Sequence, residues 1–321
     1  MREIFGVPGI ICEARDSAIK KTMPGHKPGI IWILTLMIGL LLLIIGEVAA
    51  IVPQIAVMVL KVISEGGNVD INDLTTGDFA MILALYTLGC TTIVVCLYVK
   101  LFERRKMRTL GFVKKGAVLQ YFLGIVTGFA IFSAAVLFCS MTGSISITSS
   151  GNVDYLILAL YLGGWLIQGM EEEVLCRGFL LTSLSRRYSV TFGVIVNSVA
   201  FASLHLLNPG IGILPFINLV LYGVFASILF IKTGNIWFCS AVHSIWNFVQ
   251  GNFYGISVSG NDPMPTIFKT TFISGKELFN GGAFGLEGGL GVSAVLVLGC
   301  IILFFIPGKK EIPAVNADDA A

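Results

Sequence analysis

The sequence predicts an all-α, polytopic membrane protein with about eight transmembrane helices, and its composition is the first reason. Of its 321 residues, 55% are hydrophobic and 12% are charged, and the mean hydropathy is +0.88. Soluble domains usually carry about 25% charged residues. A chain this apolar needs the hydrocarbon of a lipid bilayer as its solvent. Its net charge of +2 gives no reason to expect a nucleic-acid partner.

The second reason is a series of apolar runs, since a helix needs about 20 apolar residues to cross a bilayer. We therefore predict a tail over residues 1–28, a membrane domain over 29–307 and a second tail over 308–321. The longest connection, residues 252–288, is rich in Gly, Ser, Asn and Pro and is expected to be an extramembrane loop. The eight runs cover roughly residues 30–52, 79–99, 117–141, 154–176, 190–206, 213–231, 236–251 and 289–307.

Lysine and arginine are concentrated in every second connection between the runs. The tail 1–28 contains five of them and the connection 100–116 contains seven, whereas 53–78 contains one and 142–153 contains none. Short cytoplasmic connections carry the excess of positive charge in membrane proteins. The pattern predicts a multi-pass protein of the cell membrane with both termini in the cytoplasm.

Ionisable side chains inside the fourth run are candidates for function, because each costs about 2.5–3.5 kcal/mol to insert into a bilayer. Residues i and i+4 share one face of a helix, and an acid that precedes a base at this spacing forms the favoured ion pair. Glu173 and Arg177 have this spacing. Their pairing would leave Glu172, about 100° around the helix, without a local cation.

Two other runs carry polar residues at the same spacing. Asn197, Phe201 and His205 follow one another every four residues in the fifth run, and His243 and Asn247 are four residues apart in the seventh. Polar groups in lipid have to satisfy one another inside the protein. We therefore expect the polar faces of the fourth, fifth and seventh helices to meet in one cavity.

The expected set of an unpaired carboxylate, two imidazoles and a carboxamide suits the hydrolysis of an amide by water. A carboxylate in apolar surroundings can act as a general base. An imidazole can position water, bind a metal or protonate a leaving amine, and an imidazole with a carboxamide can stabilise an oxyanion. Neither a GxSxG nor an HExxH motif occurs. Cys176 would need a nearby base to act as a nucleophile.

Three motifs on separate apolar runs resemble those of the CPBP family, which comprises type II CAAX prenyl proteases and bacteriocin-processing or immunity proteins. Glu172-Glu173-Val-Leu-Cys-Arg177 resembles the family's EExxxR motif. Phe201-Ala-Ser-Leu-His205 is similar to its FxxxH motif, and His243-Ser-Ile-Trp-Asn247 to its HxxxN motif. The motifs occur in the family's order, and the resemblance covers a core of about residues 154–251.

The resemblance implies an α-helical intramembrane protease with a catalytic cavity within the helix bundle. It implies that Glu172 is the general base and that His205 helps to position the water. It assigns His243 and Asn247 to transition-state stabilisation. Glu173 and Arg177 would then be the ion pair that fixes the site. Cys176 departs from the family pattern, in which many members have an aromatic residue before the arginine.

The motifs leave two questions open, and the first is whether a metal takes part. Glu172, His205 and His243 could supply three zinc ligands, in which case Glu173 would be the candidate base. The second question is whether the chain is an enzyme at all. A non-catalytic immunity or binding protein of the same fold is one alternative, and a transporter is another. For an enzyme, the expected substrate is a hydrophobic or membrane-associated peptide.

Overall fold

The computed structural model describes residues 9–16, 31–67, 69–261 and 265–306. Helices make up nearly all of the regular structure in these ranges, which confirms the predicted all-α class. In chain order they are α1 Gly9–Asp16, α2 Ile31–Ser64, α3 Ile71–Thr75, α4 Gly77–Thr87, α5 Gly89–Leu101, α6 Ala117–Met141, α7 Tyr155–Glu173, α8 Thr182–Ser185, α9 Val190–Ser203, α10 Ile213–Thr233, α11 Ile236–Phe248, α12 Glu277–Asn280 and α13 Leu290–Phe305.

Two of these helices are lengthened by segments of π-helix, in which the turns are wider than in an α-helix. Val174–Leu181 is a π-helix that joins α7 to α8, so the chain is helical without a break from Tyr155 to Ser185. Val249–Phe253 is a second π-helix, and it follows α11 directly. In the described ranges, the long helical segments therefore correspond in order to the eight apolar runs of the sequence.

Four of the described helical segments are long and apolar enough to cross a membrane: Ile31–Ser64, Ile71–Leu101, Ala117–Met141 and Ile213–Thr233. Val190–Ser203 and Leu290–Phe305 are shorter apolar helices. The two remaining segments contain α7 and α11, which carry the polar residues of the EExxxR and HxxxN motifs. These polar residues lower the hydropathy of both helices, although each packs inside the bundle.

The first long helix extends further than the sequence indicated. We predicted an apolar run over 30–52 followed by a loop, but α2 continues through Pro53 to Ser64. Proline is tolerated in membrane helices because neighbouring groups satisfy the freed carbonyl. The residues after Pro53 are mostly apolar, and Leu60 and Ile63 are 65% and 68% exposed. An exposed apolar surface of this kind fits contact with lipid rather than water.

Part of the predicted N-terminal tail is folded against the membrane domain. Ile11 and Ala14 of α1 are fully buried, and α1 packs against α8 and a short 3₁₀-helix, Met107–Leu110. Arg108 Nε lies 3.2 Å from Glu13 Oε2 across this contact. The rest of the tail and the predicted tail 308–321 lie outside the described residues.

The long connection after α11 folds over one end of the bundle, and we call residues 254–261 and 265–288 the cover segment. Its strand β2, Phe268–Phe272, pairs antiparallel with β1, Ile145–Ser149, which precedes α7. Two 3₁₀-helices, Gly282–Phe284 and Leu286–Gly288, complete it. Phe284 and Leu286 are fully buried, so the cover segment has an apolar core of its own against the bundle.

The cover segment also packs on the turn between α9 and α10. Asn208 Nδ2 in this turn donates a hydrogen bond to the Ser259 carbonyl at 3.0 Å. Gly260 has a φ of +84°, and a Cβ added there would meet the Pro209 carbonyl oxygen, so only glycine fits this approach. The cover segment therefore packs directly on the turn that follows α9.

Candidate active site

A cavity of about 180 Å³ lies between α4, α7, α9, α10, α11 and the cover segment. Glu172, His205, His243 and Asn247 all line it. The structure thus brings together the four side chains whose convergence we expected from the polar faces of three helices. Gly169 allows α7 to approach α11 closely, because a Cβ at this position would lie 2.4 Å from Ser244 Oγ.

One oxygen of the Glu172 carboxylate accepts a hydrogen bond from a side chain of the described residues, and the other does not. Gln168 Nε2 donates a hydrogen bond of 2.5 Å to Glu172 Oε1. Gln168 Oε1 in turn accepts a hydrogen bond of 2.9 Å from Asn247 Nδ2. The second oxygen, Glu172 Oε2, is buried without a hydrogen-bond partner among the described residues and lies 3.7 Å from His243 Nε2. A carboxylate oriented by an amide and free to accept a proton has the character expected of a general base.

Gln168 is a site residue that the sequence analysis missed. It lies four residues before Glu172 on the same helix, so the i, i+4 rule could have found it. We considered only ionisable residues and the motif residues in the fourth run, and an uncharged amide is not conspicuous there. In the structure it connects Glu172 to Asn247 across the contact between α7 and α11.

The imidazole of His243 is fixed by Glu173. The distance from His243 Nδ1 to Glu173 Oε1 is 2.9 Å, and the Glu173 side chain is fully buried. An Nδ1–H that donates to a carboxylate fixes the tautomer and leaves Nε2 for the other side of the ring. That nitrogen faces Glu172 in the cavity. Glu173 therefore touches a cavity residue directly, which the expected pairing with Arg177 alone did not include.

The expected ion pair between Glu173 and Arg177 is present. Arg177 Nη1 lies 3.0 Å from Glu173 Oε1, and both side chains are fully buried. The N–H bonds of the guanidinium are not aligned for hydrogen bonds, so the contact is an ion pair without them. The guanidinium lies over the Phe201 ring at 4.6 Å and over the Tyr222 ring at 5.8 Å. These two rings also line the cavity, so Arg177 lies behind the cavity wall and not in the cavity.

His205 reaches the cavity from the turn beyond α9 rather than from the helix itself. The helix ends at Ser203, and the distance from His205 Nδ1 to the Phe201 carbonyl oxygen is 3.0 Å. An Nδ1–H donor in this contact would leave Nε2 as an acceptor for a group in the cavity. Asn197, expected on the same polar face, instead donates from Nδ2 to Ser227 Oγ at 3.0 Å. It faces α10 and does not line the cavity.

Glu287 in the cover segment is a second site residue that the sequence analysis missed. Its Oε1 accepts a hydrogen bond from Trp246 Nε1 at 3.0 Å. Its Oε2 accepts two more, from the backbone N–H and the hydroxyl of Ser259, both at 2.9 Å. All three residues line the cavity. Because Glu287 lies far outside the three motifs, in a loop rich in glycine, no spacing in the sequence connects it to the site.

These contacts predict that Glu287 holds the cover segment in place. In Glu287→Ala, the buried Trp246 indole and the Ser259 N–H would lose their acceptor, at a cost of about 1–3 kcal/mol for each buried group left unsatisfied. We expect a lower melting temperature in detergent and faster cleavage by an added protease between residues 254 and 288. The control is Glu277→Gln in the same segment, since the Glu277 carboxylate is exposed and accepts a bond from the Gly275 backbone at the surface. Equal protease sensitivity of both variants would contradict the prediction.

Two other residues of the fourth run lie outside the cavity. Glu171 is 3% exposed and Cys176 is fully buried, and neither lines the cavity. The thiol of Cys176 thus has no access to a substrate in this cavity, and the alternative of a cysteine nucleophile does not fit the structure.

The predicted zinc set was Glu172, His205 and His243. All three side chains line the cavity. Across residues 9–16, 31–67, 69–261 and 265–306, however, no three His, Cys, Asp or Glu side chains are close enough together to hold a metal ion. The chemistry proposed below is therefore written with the side chains alone, and a zinc ion held by these three residues stays a prediction.

Comparison with known families agrees with this geometry. Residues 154–249 match the family model described as "Rce1-like: Type II CAAX prenyl endopeptidase Rce1-like". The match contains α7, α9, α10 and α11 and with them all three motifs. Comparisons with curated proteins and with solved structures found no match. Over residues 154–249 this membrane protein is therefore similar to the Rce1-like, type II CAAX prenyl endopeptidase family, and the similarity indicates protease activity of the CAAX type in general.

Proposed function

We propose that the chain is an intramembrane endopeptidase that hydrolyses a peptide bond of a hydrophobic or membrane-associated peptide with water activated by Glu172. The observation that carries the proposal is the placement of Glu172 Oε2 in the cavity, 3.7 Å from His243 Nε2. That distance is too long for a direct hydrogen bond, and one water molecule can bond to both atoms.

Glu172 would remove a proton from this water as it attacks the peptide carbonyl. His205 Nε2 would accept a hydrogen bond from the other water hydrogen, because its Nδ1 is engaged by the Phe201 carbonyl. The C–O bond then forms, the carbonyl π electrons move to oxygen, and a tetrahedral oxyanion results. Two polar contacts would orient the catalytic groups during this step: Gln168 on Glu172 and Glu173 on His243.

The oxyanion would be stabilised by His243 and Asn247. Asn247 uses one Nδ2–H on Gln168, and its second N–H is free to donate. His243 would act in its protonated form, with Nδ1–H on Glu173, which balances the charge, and with Nε2–H donated first to the attacking water and then to the oxyanion. Collapse of the intermediate breaks the C–N bond, and the proton held by Glu172 passes to the leaving amine. The carboxylate is then ready for another turnover.

The assay that tests this function uses the purified protein in detergent and a library of quenched fluorescent peptides with apolar sequences. We expect cleavage of a subset of these peptides. Adding a chelator distinguishes a metal-free mechanism from a zinc-dependent one. Unchanged cleavage supports hydrolysis by water that Glu172 activates without a metal. A loss of cleavage that zinc restores supports the zinc-dependent mechanism. If no peptide of the library is cleaved, the proposed endopeptidase activity is contradicted.

Single substitutions of the oxyanion donors should lower turnover. Removing one such donor typically costs about 10²–10³ in kcat. We expect a loss of this size for His243→Ala and for Asn247→Ala, with little change in KM because the donors act mainly in the transition state. Steady-state kinetics on one cleaved peptide measure both values. A change confined to KM would mean that these residues bind substrate and do not stabilise the oxyanion.

A further inference from the structure

The two ends of the helix bundle differ strongly in charge. One end holds the connections between α5 and α6, α8 and α9, and α10 and α11, and the opposite end holds the two strands and the cover segment. The first end carries Lys100, Arg104, Arg105, Lys106, Arg108, Lys114, Lys115, Arg186, Arg187 and Lys232. The opposite end carries Lys61, Lys269 and Lys276 among Glu65, Asp70, Asp73, Asp78, Asp154, Glu277 and Glu287. The cationic end is the one that faces the cytoplasm in membrane proteins.

The cavity lies toward the opposite, acidic end. Its walls include Met81 in the first half of α4, Asn208 in the turn after α9, and Asn261 and Glu287 in the cover segment. None of its lining residues comes from the connections at the cationic end. Asn261 is an exposed residue, so it marks the place where the cavity meets the surface.

The cationic end is closed beneath the site. Arg177 lies behind the cavity rings of Phe201 and Tyr222 and is fully buried, as are Leu110 and Phe230 near the cationic end. Still nearer the cationic end, Arg105 donates to Thr182 Oγ1 at 2.7 Å and to Ser183 Oγ at 2.9 Å. A peptide could not reach Glu172 from this end without disrupting these contacts.

The mouth of the cavity adjoins a surface that suits lipid. The turn between α9 and α10 places His205 and Asn208 on the cavity, whereas Leu207 in the same turn is 97% exposed. Ile213, the first residue of α10, is 83% exposed. Large apolar side chains this exposed beside a polar opening indicate contact with the bilayer or with an apolar partner.

From these features we propose that the site accepts its peptide from the non-cytoplasmic side of the membrane. The substrate is then a membrane-anchored or translocated peptide whose apolar segment lies in the outer half of the bilayer, rather than a lipid-modified tail in the cytoplasm. This inference rests on the proposed endopeptidase function for the identity of the ligand. The direction of the opening rests on charge and packing alone.

The first test measures the direction of the opening without using activity. Asn261→Cys places a thiol at the cavity mouth, and Lys115→Cys places one at the cationic end. Both variants are treated with a membrane-impermeant maleimide in sealed right-side-out and inside-out vesicles, and the parent chain gives the background from its own cysteines. We expect Asn261→Cys to react in right-side-out vesicles and Lys115→Cys in inside-out ones. The reverse pattern would overturn the inference.

The second test adds a membrane-impermeant peptide that the detergent-solubilised protein cleaves. Cleavage should occur in right-side-out vesicles and should appear in inside-out vesicles only after detergent is added. Cleavage from the cytoplasmic side alone would overturn the inference and leave the endopeptidase function intact. Absence of cleavage even in detergent would contradict the proposed function, while the maleimide result would still decide the direction of the opening.

Discussion

Replacing Glu172 by glutamine is expected to abolish peptide cleavage while leaving the fold intact. Glutamine keeps the size of the side chain and can still accept the bond from Gln168 at Oε1. It cannot take a proton from water, and the loss of a general base typically costs about 10²–10⁴ in rate. The measurement is kcat on a cleaved peptide in detergent, together with the melting temperature of the variant.

The matched control is Glu171→Gln, the same change one residue earlier on the same helix. Glu171 is more deeply buried than Glu172 and does not line the cavity. The Glu171→Gln variant should therefore cleave the peptide at a rate near that of the parent chain. If Glu172→Gln kept full activity, or full function in its host, Glu172 would not be the base, and a binding or immunity role would replace the enzyme.

The second large effect is expected for Arg177→Ala, and it concerns stability. Removing one partner of a buried ion pair leaves an uncompensated charge, at a cost of about 3–5 kcal/mol. Glu173 would keep only its contact with His243, and the rings of Phe201 and Tyr222 would lose the guanidinium that covers them. We expect a large fall in the yield of folded protein and in the melting temperature, and a loss of cleavage with it.

Arg104→Ala provides the comparison, because Arg104 is an exposed arginine at the cationic end of the bundle. Surface substitutions of this kind usually change the free energy of unfolding by about 0.5 kcal/mol or less. A normal melting temperature for Arg177→Ala would show that the buried pair does not stabilise the fold. A variant with normal stability but no cleavage would instead give Arg177 a role in the chemistry.

The sequence predicted the class of the fold and four side chains of the cavity because both depend on local spacing. Apolar runs define helices, and the i, i+4 spacing placed Glu173 with Arg177 and aligned His243 with Asn247. Lipid then requires polar faces to meet, and the cavity contains Glu172, His205, His243 and Asn247. The catalytic roles of these residues remain predictions, because position in a cavity does not measure proton transfer.

What the sequence did not predict depends on contacts between distant parts of the chain. At about 1.5 Å per residue, His205 should lie about 22 Å along its helix from Val190, whereas His243 should lie only about 10 Å along its own helix from Ile236. The two side chains should therefore lie at different depths in the bundle. In the structure His205 lies in the turn after Ser203, and Ser259 and Gly260 of the cover segment pack on that turn, a contact that no spacing in the sequence shows. Glu287 joins the site through the same segment.

The π-helix Val174–Leu181 has a consequence for how this protein can change in evolution. It separates Glu172, which lines the cavity, and Glu173, which contacts His243, from Thr182 and Ser183, which bind Arg105 near the cationic end. Each residue of an α-helix turns the chain by about 100°. The loss of one residue from this segment would restore ordinary α-helical turns. It would also rotate the contacts at the cavity by about 100° relative to the contacts with Arg105. Substitutions within Val174–Leu181 should therefore be accepted far more readily than insertions or deletions.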